Sequence, residues 1–541
     1  MIIKDLNESY INVKCDDISL MKRLTKTLSP FIENYRFNPK YRCGIWDGRI
    51  NFYTKISNTE IQVPKGFKTS IVGFCKKNNE VIEYTKDKFE NITREIADKF
   101  IANQNLPFHP YEYQIQAFID SLNQGRLINE SATGSGKSLI IYLLSKYFLE
   151  QDKQTLIIVP NIMLVNQIAS DFESYGFKDL DKIQLIGGEN KIKEILKPIT
   201  ISTWQSQYRS ASGYENISCL IIDECQSAKG NESVLGTLII PKCYNAKYRF
   251  GFTGTIPPAL AEKMSIIACI GKINKVINAQ GLINAGLATP VFIKPVYLNY
   301  SKEDSLVIHK LKDYHKEEKF ITEHSKRNTV LTKIIDKVSS KGNTLALFSK
   351  LAHGDFLLKL LLKQKQTDKA KEIELIKKVP DEIKPDTLYY FKQKITEKQL
   401  KEILSKHKDN TDIFRSIEQE NIFSITGEVS GKAREEIRQI LETHSNALIL
   451  ATVSTMSTGV NIKNLHNLVF CSSFKSSITL LQSIGRVMRL HKSKEKVNIY
   501  DIVDSALSSR NKENYFLKHF KERLAIYLDS GYPIEEKEIN L

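Results

Sequence analysis

The chain has 541 residues and a formal net charge of +16 at pH 7, and 41% of its residues are hydrophobic. This length predicts three or four domains with enough apolar residues for their cores, and the excess of cations favours a polyanionic partner. No run of residues has the length and apolarity of a membrane span, and Lys4, Asp5 and Glu8 interrupt any signal-like apolar start. Eight cysteines without close pairs argue against a disulfide framework or a zinc site, as expected for reduced thiols in the cytoplasm.

Residues 35–53, within a predicted first domain at 1–105, combine cationic and aromatic side chains. Cations bind phosphates and aromatic rings stack on bases, so this stretch predicts a nucleic-acid surface. The aromatic residues could equally form the core of a small α+β domain. The cationic candidates for nucleic-acid binding are Arg36, Lys40, Arg42 and Arg49, and the interspersed aromatic residues are Tyr35, Phe37, Tyr41 and Trp46.

Residues 131–138 read Ser-Ala-Thr-Gly-Ser-Gly-Lys-Ser, between a predicted strand at 126–129 and a predicted helix at 139–149. A strand, a glycine-rich loop and a helix in this order are typical of phosphate binding, because backbone N–H groups surround the phosphates. We expect Lys137 to reach the outer phosphates and Ser138 to ligate Mg²⁺. The alternative, a polar linker, does not explain the flanking strand and helix. The predicted nucleotide-binding residues here are Thr133, Gly134, Ser135, Gly136, Lys137 and Ser138.

An acidic pair, Asp223 and Glu224, follows the apolar stretch 218–222, which is predicted to be a buried parallel strand. Parallel α/β sheets bind ligands at the carboxyl ends of their strands, where this pair would lie. Asp223 would hold Mg²⁺ through water, and Glu224 would orient or deprotonate the attacking water. A solvated turn is the alternative for the pair alone, but the phosphate loop favours a site for ATP and Mg²⁺.

Arg486 and Arg489 lie three residues apart in a segment predicted to be a packed helix, which would place both guanidinium groups on one face. Arginine suits the charge that develops on a transferred phosphoryl group, so both are candidate catalytic residues. The alternative is a basic surface helix, which the apolar Ile484, Val487 and Met488 disfavour.

Taken in chain order, these motifs resemble those of the superfamily 2 helicases and translocases, over nearly the whole chain. The resemblance implies adenine recognition by Tyr113 and Gln114, a nucleotide contact at Gly459 and a catalytic role for Gln482. Residues 251–255, Gly-Phe-Thr-Gly-Thr, resemble the motif that couples hydrolysis to movement. The residues that the resemblance assigns to the nucleic-acid strand are Asn161, Thr203, Trp204, Lys350 and Thr452.

The N-terminal stretch, with Tyr-Arg-Phe-Asn-Pro-Lys-Tyr-Arg at 35–42 and Gly-Ile-Trp-Asp-Gly-Arg at 44–49, is similar to the UvsW family of phage recombination helicases. This resemblance implies ATP-driven remodelling of branched DNA, such as forks, Holliday junctions and R-loops, in recombination, repair and replication. It predicts a monomer that binds DNA or RNA–DNA hybrids in the host cytoplasm. Two alternatives stay open: a duplex DNA translocase that does not separate strands, and a DNA-binding or annealing protein that ATP only switches.

The sequence departs from the helicase pattern in two places. Gln226 stands where His or Asp is usual, which leaves hydrolysis in place and puts its coupling to movement in question. A charged stretch at about 352–421 is interpreted as extra helices on the surface of the second lobe, either in contact with DNA or simply solvated.

The predicted fold class is α/β, with two RecA-like parallel-sheet lobes preceded by a small α+β domain. The expected boundaries place the first lobe at 106–290, the second at 291–505 and a helical tail at 506–541. Because every motor motif follows residue 105, deletion of residues 1–105 is expected to leave some DNA-stimulated ATPase.

Overall fold

The computed structural model describes residues 1–188, 194–208, 212–228, 236, 239–367, 422–425, 431–453, 455, 462–507 and 512–541. The predictions made for Gly459 and for residues 368–421 lie outside these ranges. The chain divides into two compact units, Met1–Asn278 and Ala279–Leu541.

A five-stranded mixed sheet forms the N-terminal part of the first unit. Its central strand Tyr10–Lys14 pairs antiparallel with both neighbours, and its edge strand Glu83–Tyr84 pairs in parallel with Ile2–Asp5. Ile11 and Val13 are fully buried and alternate with less buried residues, which gives the sheet one apolar face. The strands in spatial order are Thr54–Lys55, Glu60–Pro64, Tyr10–Lys14, Ile2–Asp5 and Glu83–Tyr84, and the helices are Ile18–Thr27, Pro39–Arg42 and Lys68–Lys77.

A seven-stranded parallel sheet forms the rest of the first unit. Cys219 and Ile221 enter one hydrophobic core, whereas Leu220 and Ile222 on the same strand enter another. Both faces are therefore covered, as an uninterrupted apolar strand requires. The strands in spatial order are Lys272–Ile277, Arg126–Ser131, Tyr248–Thr253, Ile217–Asp223, Gln154–Val159, Ile199–Thr203 and Ile183–Ile186, and the helices are Arg94–Asn103, Glu112–Gln124, Lys137–Leu149, Ile162–Ser174, Trp204–Tyr208, Ile240–Lys242 and Leu260–Cys269.

A second seven-stranded parallel sheet forms the unit Ala279–Leu541. Its strands in spatial order are Ile422–Ile425, Leu448–Thr452, Thr344–Phe348, Asn467–Phe470, Val497–Ser505, Val291–Asn299 and Lys537–Asn540. Its helices are Ala279–Asn284, Lys302–Leu311, Tyr314–Glu323, Ser325–Ser339, Leu351–Thr367, Gly431–Thr443, Ser477–Val487 and Tyr515–Asp529. The predicted fold class is confirmed: two RecA-like parallel sheets follow a small domain with a mixed sheet.

The N-terminal domain and the first lobe share a hydrophobic core. Ala261 and Ala268, on the lobe helix Leu260–Cys269, pack among the buried residues of the N-terminal sheet. A Cβ at Gly66 would lie 2.0 Å from the carbonyl oxygen of Ile267, so only glycine permits this close approach. The two parts of the first unit are therefore joined by packing and not by a linker alone.

Buried charges reinforce this junction. The Nζ of Lys65 lies 2.9 Å from Glu8 and 3.0 Å from Asp5, and the lysine is almost fully buried. Arg126, on the first strand of the lobe, donates to the carbonyl oxygen and to the carboxylate of Glu8. Arg249, on the neighbouring strand, is buried and donates to the hydroxyl of Ser9 at 2.8 Å. Removing one partner from such a cluster weakens the compensation of the buried charges, which is destabilising.

The helix Arg94–Asn103 falls within the predicted first domain, at 1–105, but packs with the lobe. Ile92, Ala97 and Ile101 belong to the same core as the helices and strands around the phosphate loop. Ala97 and Ile101 are four residues apart, so they share the helix face that the lobe buries. The predicted boundary at 105 therefore cuts through the core of the first lobe.

Two elements of the second unit differ from the sequence-based expectation. The helix Leu351–Thr367 includes the start of the predicted surface insertion, yet its Leu357 and Leu361 are fully buried in the lobe core. Gly354 lies directly against Phe348, since a Cβ there would be 2.2 Å from its ring. The tail was expected to be helical, but beyond its helix it forms the edge strand Lys537–Asn540.

Candidate nucleotide site and nucleic-acid interface

The loop between the strand Arg126–Ser131 and the helix Lys137–Leu149 has two glycines in left-handed conformations. The φ angle of Gly134 is 87° and that of Gly136 is 76°, values that glycine adopts at no steric cost. A Cβ at Gly136 would also lie 2.4 Å from the Nε2 of Gln114. The backbone shape of the loop thus requires glycine at both positions, as in a phosphate-binding loop.

Tyr113 and Gln114 hold this loop from the helix Glu112–Gln124. The hydroxyl of Tyr113 and the Nε2 of Gln114 donate to the carbonyl oxygen of Ser135, at 2.8 and 2.9 Å. The Oε1 of Gln114 accepts from the backbone N–H of Tyr111 at 2.8 Å. The two residues expected to recognise adenine are therefore bound to the phosphate loop, which fixes their position beside it.

Lys137 begins the helix and its side chain turns back along the loop. Its Nζ donates to the carbonyl oxygen of Ser131 at 3.2 Å. A Cβ at Gly254 would lie 3.2 Å from the Oγ1 of Thr133 and 3.9 Å from this Nζ. The phosphate loop and the Gly-Phe-Thr-Gly-Thr segment thus approach each other closely, and glycine at 254 keeps the space beside the lysine open.

Asp223 ends the central strand Ile217–Asp223 beside this lysine. Burial, together with the neighbouring Glu224 carboxylate, raises the pKa of Asp223 to about 7, and the positive charge of Lys137 opposes the shift. The Oδ1 of Asp223 is buried and accepts no hydrogen bond from any described residue. A buried carboxylate oxygen that accepts no hydrogen bond is a suitable ligand for Mg²⁺, which prefers oxygen ligands. The charge of the cation would offset the cost of burying the carboxylate.

Gln226 connects the acidic pair to residues 251–255, the predicted coupling segment. Its Nε2 donates to the Oε2 of Glu224 at 2.6 Å, and its Oε1 accepts from the hydroxyl of Thr253, also at 2.6 Å. Glu224 itself has a φ of 49°, a left-handed conformation that is costly for a side chain with a Cβ. The amide thus links a strained carboxylate residue to the end of the adjacent strand Tyr248–Thr253.

Ser138, the predicted Mg²⁺ ligand, has a partner that sequence reasoning missed. Its hydroxyl lies 2.8 Å from the hydroxyl of Tyr175, at the C-terminal end of the helix Ile162–Ser174. Burial raises the pKa of Tyr175 to about 12, so its hydroxyl stays protonated at neutral pH. The two residues are 37 positions apart, and no motif contains Tyr175, so only the packing of the two helices reveals the pair.

The predicted catalytic residues of the second unit lie at the end of the helix Ser477–Val487. Gln482 and Arg486 are four residues apart and share one face. Arg489 lies beyond the helix, which corrects the expectation that both arginines occupy one helical face. The Nζ of Lys494 donates to the carbonyl oxygen of Val487, the last residue of the helix, and Thr289 donates to the carbonyl oxygens of Met488 and Arg489 just beyond it.

Three family models match consecutive parts of the chain. The model described as "Type III restriction enzyme, res subunit" matches residues 107–258, "DNA helicase UvsW, N-terminal" matches 2–84, and "Helicase conserved C-terminal domain" matches 371–491. The "ATP-dependent DNA helicase uvsW" of Enterobacteria phage T4 is 28% identical over 558 residues, with 98% of each chain covered. The chain therefore carries superfamily 2 helicase domains along its length. These domains make it an ATP-hydrolysing enzyme that acts on nucleic acid.

Two further similarities are more distant. A "Putative helicase 22" of Sulfolobus islandicus filamentous virus is 24% identical over 498 residues, covering 87% of this chain and 77% of the viral protein. A fragment of a putative HsdR subunit of a type I restriction enzyme from Vibrio vulnificus has a TM-score of 0.53 at 17% identity, covering 82% of this chain and 71% of that one. At that identity the second match shows the fold alone. No helix among the described residues is long and apolar enough to cross a bilayer.

The residues that the helicase resemblance assigns to nucleic-acid binding lie at or just after the ends of β-strands. The Oδ1 of Asn161 accepts from the backbone N–H of Leu164 and caps the next helix. Thr203 is buried, and its Oγ1 accepts from the N–H of Ser206. Thr452 binds Thr455 in the same manner. Trp204 packs partly buried against a core of the first lobe, and Lys350 forms an ion pair with Glu318 at 2.8 Å.

In residues 35–53, some side chains pack against the N-terminal domain and others are exposed to solvent. Arg49 is a supporting residue, because its guanidinium group lies 3.8 Å from the centroid of the Phe31 ring and donates to the carbonyl oxygen of Ser29. Trp46 is half-buried and donates to the carbonyl oxygen of Arg49 at 2.8 Å. By contrast, Arg36, Lys40 and Arg42 are exposed, and none of them forms an ion pair with a described residue.

Proposed function

We propose that this helicase remodels branched nucleic acids, such as forks, Holliday junctions, R-loops and RNA–DNA hybrids, as a monomer driven by ATP with Mg²⁺ in the cytoplasm. The observation that carries the proposal is the path from Glu224 through Gln226 to Thr253, because it joins the nucleotide site to the coupling segment. The end-to-end similarity to the T4 helicase and the matched N-terminal domain support recombination-type substrates.

At the nucleotide, Lys137 would neutralise the outer phosphates and the backbone of residues 133–136 would bind them. Ser138 and Asp223 would hold Mg²⁺, which neutralises charge on the phosphates. Among the described residues no cluster of three or more His, Cys, Asp or Glu side chains could hold a metal alone, so the phosphates would complete its ligands. Glu224 would orient the attacking water and accept its proton.

In the second lobe, Arg486 and Arg489 would stabilise the charge that develops on the transferred phosphoryl group. Gln226 would transmit the state of Glu224 to Thr253, because its amide donates to one and accepts from the other. A glutamine can therefore serve where the helicase pattern has histidine, since both side chains can donate and accept at once.

One test is strand displacement on forked DNA, with ATP, without ATP and with a nonhydrolysable analogue. Displacement that requires hydrolysis supports the proposal. ATP-dependent movement along an intact duplex without displacement would instead identify a duplex translocase. Annealing or DNA binding that changes with ATP but does not require hydrolysis would identify an ATP-switched binding protein. ATPase rates on single strands, duplexes, forks, four-way junctions and R-loops would then rank the substrates.

A further inference from the structure

The N-terminal domain carries a small projecting segment, residues 34–45, on an aromatic support. The ring of Tyr35 stacks on Phe31 at 4.6 Å and meets the edge of Tyr41 at 4.8 Å. A Cβ at Gly48 would lie 2.3 Å from the Tyr35 ring, so the backbone at Gly48 packs directly against this ring. These aromatic residues support the segment from beneath.

Backbone hydrogen bonds fix the shape of this segment. The N–H of Phe37 donates to Asn34 at 2.9 Å, and the N–H of Ile45 donates to Lys40 at 2.9 Å. The Oδ1 of Asn38 accepts from the N–H of Lys40 at 2.9 Å and caps the short helix Pro39–Arg42. A segment bonded in this way presents its side chains in defined positions.

Two large apolar side chains project from the segment into solvent. Phe37 is 71% exposed and Ile45 is 77% exposed, although the backbone N–H of each is hydrogen-bonded. We call Phe37 and Ile45 the apolar tip. Two large apolar side chains exposed on one short segment mark a candidate interaction site, because a partner that covers them removes apolar surface from water.

The charges around the apolar tip identify the partner. Arg36, Lys40 and Arg42 are exposed and form no ion pair within the described chain. The guanidinium carbon of Arg42 lies 5.9 Å from the centroid of the Phe37 ring, so a cation and an aromatic ring are presented together. Cations beside an aromatic ring fit a phosphate backbone whose bases offer a flat surface for stacking.

We propose that the apolar tip stacks on the terminal base pair at a DNA branch point while Arg36, Lys40 and Arg42 bind the flanking phosphates. This inference rests on the proposed function and adds the feature by which the enzyme recognises a branch. In a continuous duplex each base face is covered by its neighbours. At a branch point the last base pair of an arm has an open face, so stacking there does not require intercalation.

The stacking contact can be measured on a fork with 2-aminopurine at the last base pair before the branch. Wild-type protein, without ATP, should change the fluorescence of that base when it binds. The double variant Phe37→Ala and Ile45→Ala should lose this change and bind the fork roughly 5- to 150-fold more weakly, the range expected for loss of stacking on one base. Its affinity for continuous duplex should stay within about twofold of wild type.

A matched control is Val81→Ala, which removes another exposed apolar side chain, 85% exposed, from the same domain. This control should behave as wild type on the fork. Equal fork affinity and fluorescence change in the tip variant would overturn the proposal. So would a variant that loses self-association or a protein partner while it keeps its fork binding.

The cationic part is tested by Arg36→Gln, Lys40→Gln and Arg42→Gln together. Each lost phosphate contact should lower the magnitude of the log–log salt slope by roughly 0.7 to 0.9. The control set is Lys22→Gln, Lys77→Gln and Lys86→Gln, exposed lysines elsewhere in the domain that should leave the slope on forks unchanged. An equal loss of slope in both sets would mean that net charge alone governs binding and would overturn the assignment of the flanking phosphates.

Cys43 offers a label at this segment, because it is the exposed cysteine among the eight. A fluorophore on Cys43 should be quenched or shifted by forks more strongly than by continuous duplex. If the proposed function fails, the wild type will not displace strands from forked DNA in an ATP-dependent manner. If only this inference fails, wild type and tip variant will unwind forks equally well.

Discussion

Gln226 illustrates how a departure from a sequence pattern can preserve a contact. Its amide donates to Glu224 and accepts from Thr253, which a histidine could also do through its two ring nitrogens. The sequence comparison puts coupling in question at this position, whereas the geometry supports intact coupling.

For Gln226→Leu, we expect ATP binding to persist and unwinding per ATP to fall by roughly tenfold or more, because hydrogen bonds to a charged carboxylate contribute about 1.5–3 kcal/mol. Gln226→His should retain most of the wild-type unwinding per ATP hydrolysed. The measurement is base pairs displaced against phosphate released in the same reaction. Equal ratios in all three proteins would mean that coupling uses another path.

Lys137→Ala removes the cation at the phosphate loop. We expect loss of ATP hydrolysis with fork binding kept within a few-fold, because the exposed cations of the N-terminal stretch are untouched. ATPase assays and fork titrations on the same preparation check this. Wild-type hydrolysis in the variant would contradict the nucleotide-site assignment.

Arg486→Ala and Arg489→Ala should spare nucleotide affinity and cut turnover by roughly 10³-fold or more, as for arginines that stabilise the transition state. The losses of turnover in the two variants need not be equal, because Arg489 lies beyond the helix that carries Arg486. Binding of a fluorescent ATP analogue and single-turnover hydrolysis separate the effects. Equal losses of affinity and rate would indicate ground-state binding or a structural role.

At the scale of elements, two helices meet at the predicted Mg²⁺ ligand. The end of the helix Ile162–Ser174 brings Tyr175 to Ser138, at the start of the helix Lys137–Leu149. The tyrosine hydroxyl can accept a hydrogen bond from the serine hydroxyl, which would leave the lone pairs of the serine oxygen free for a cation.

We therefore expect Tyr175→Phe to raise the Mg²⁺ concentration for half-maximal ATPase by several-fold, with little change in melting temperature. The Mg²⁺ dependence of nucleotide affinity, measured by fluorescence, should shift in parallel. Tyr142→Phe is the control, since Tyr142 packs 5.4 Å from the Tyr175 ring, centroid to centroid, without contacting Ser138 through a described hydrogen bond. Identical Mg²⁺ curves for all three proteins would exclude a positioning role for Tyr175.

At the scale of the whole molecule, the junction between the N-terminal domain and the first lobe changes the expectation for truncation. Deletion of residues 1–105 would remove the helix Arg94–Asn103 from the lobe core and expose Ala261, Ala268, Arg126 and Arg249. We now expect this variant to lose most of its stability and its ATPase together. Thermal denaturation and ATPase assays check this, and a folded, DNA-stimulated truncation would contradict it.

A milder change tests the same junction in the full chain. Glu8→Gln leaves the buried Lys65 and Arg126 with one fewer compensating charge. We expect a loss of about 1.5–3 kcal/mol in the free energy of unfolding of the first unit, as for lost hydrogen bonds to charged groups, because Lys65 keeps Asp5 and Asp87 as partners. Glu83→Gln, at an exposed position of the same domain, is the control for the loss of one carboxylate.

The sequence by itself determined the fold class, the strands on either side of the nucleotide site and the phosphate loop, because these depend on local patterns. The strands predicted at 126–129 and 218–222 form at Arg126–Ser131 and Ile217–Asp223, and Gly134 and Gly136 are required by backbone shape. Only the tertiary structure decided which side chains meet. Several features depend on groups that are distant in sequence. They are the pairs Ser138–Tyr175 and Gln226–Thr253, the burial of Leu357 and Leu361, and the end of the helix before Arg489. The same holds for residues 34–45, where a basic and aromatic composition could not show which rings support the segment and which project from it. Composition records which side chains are available, whereas packing decides which of them remain exposed to bind a partner.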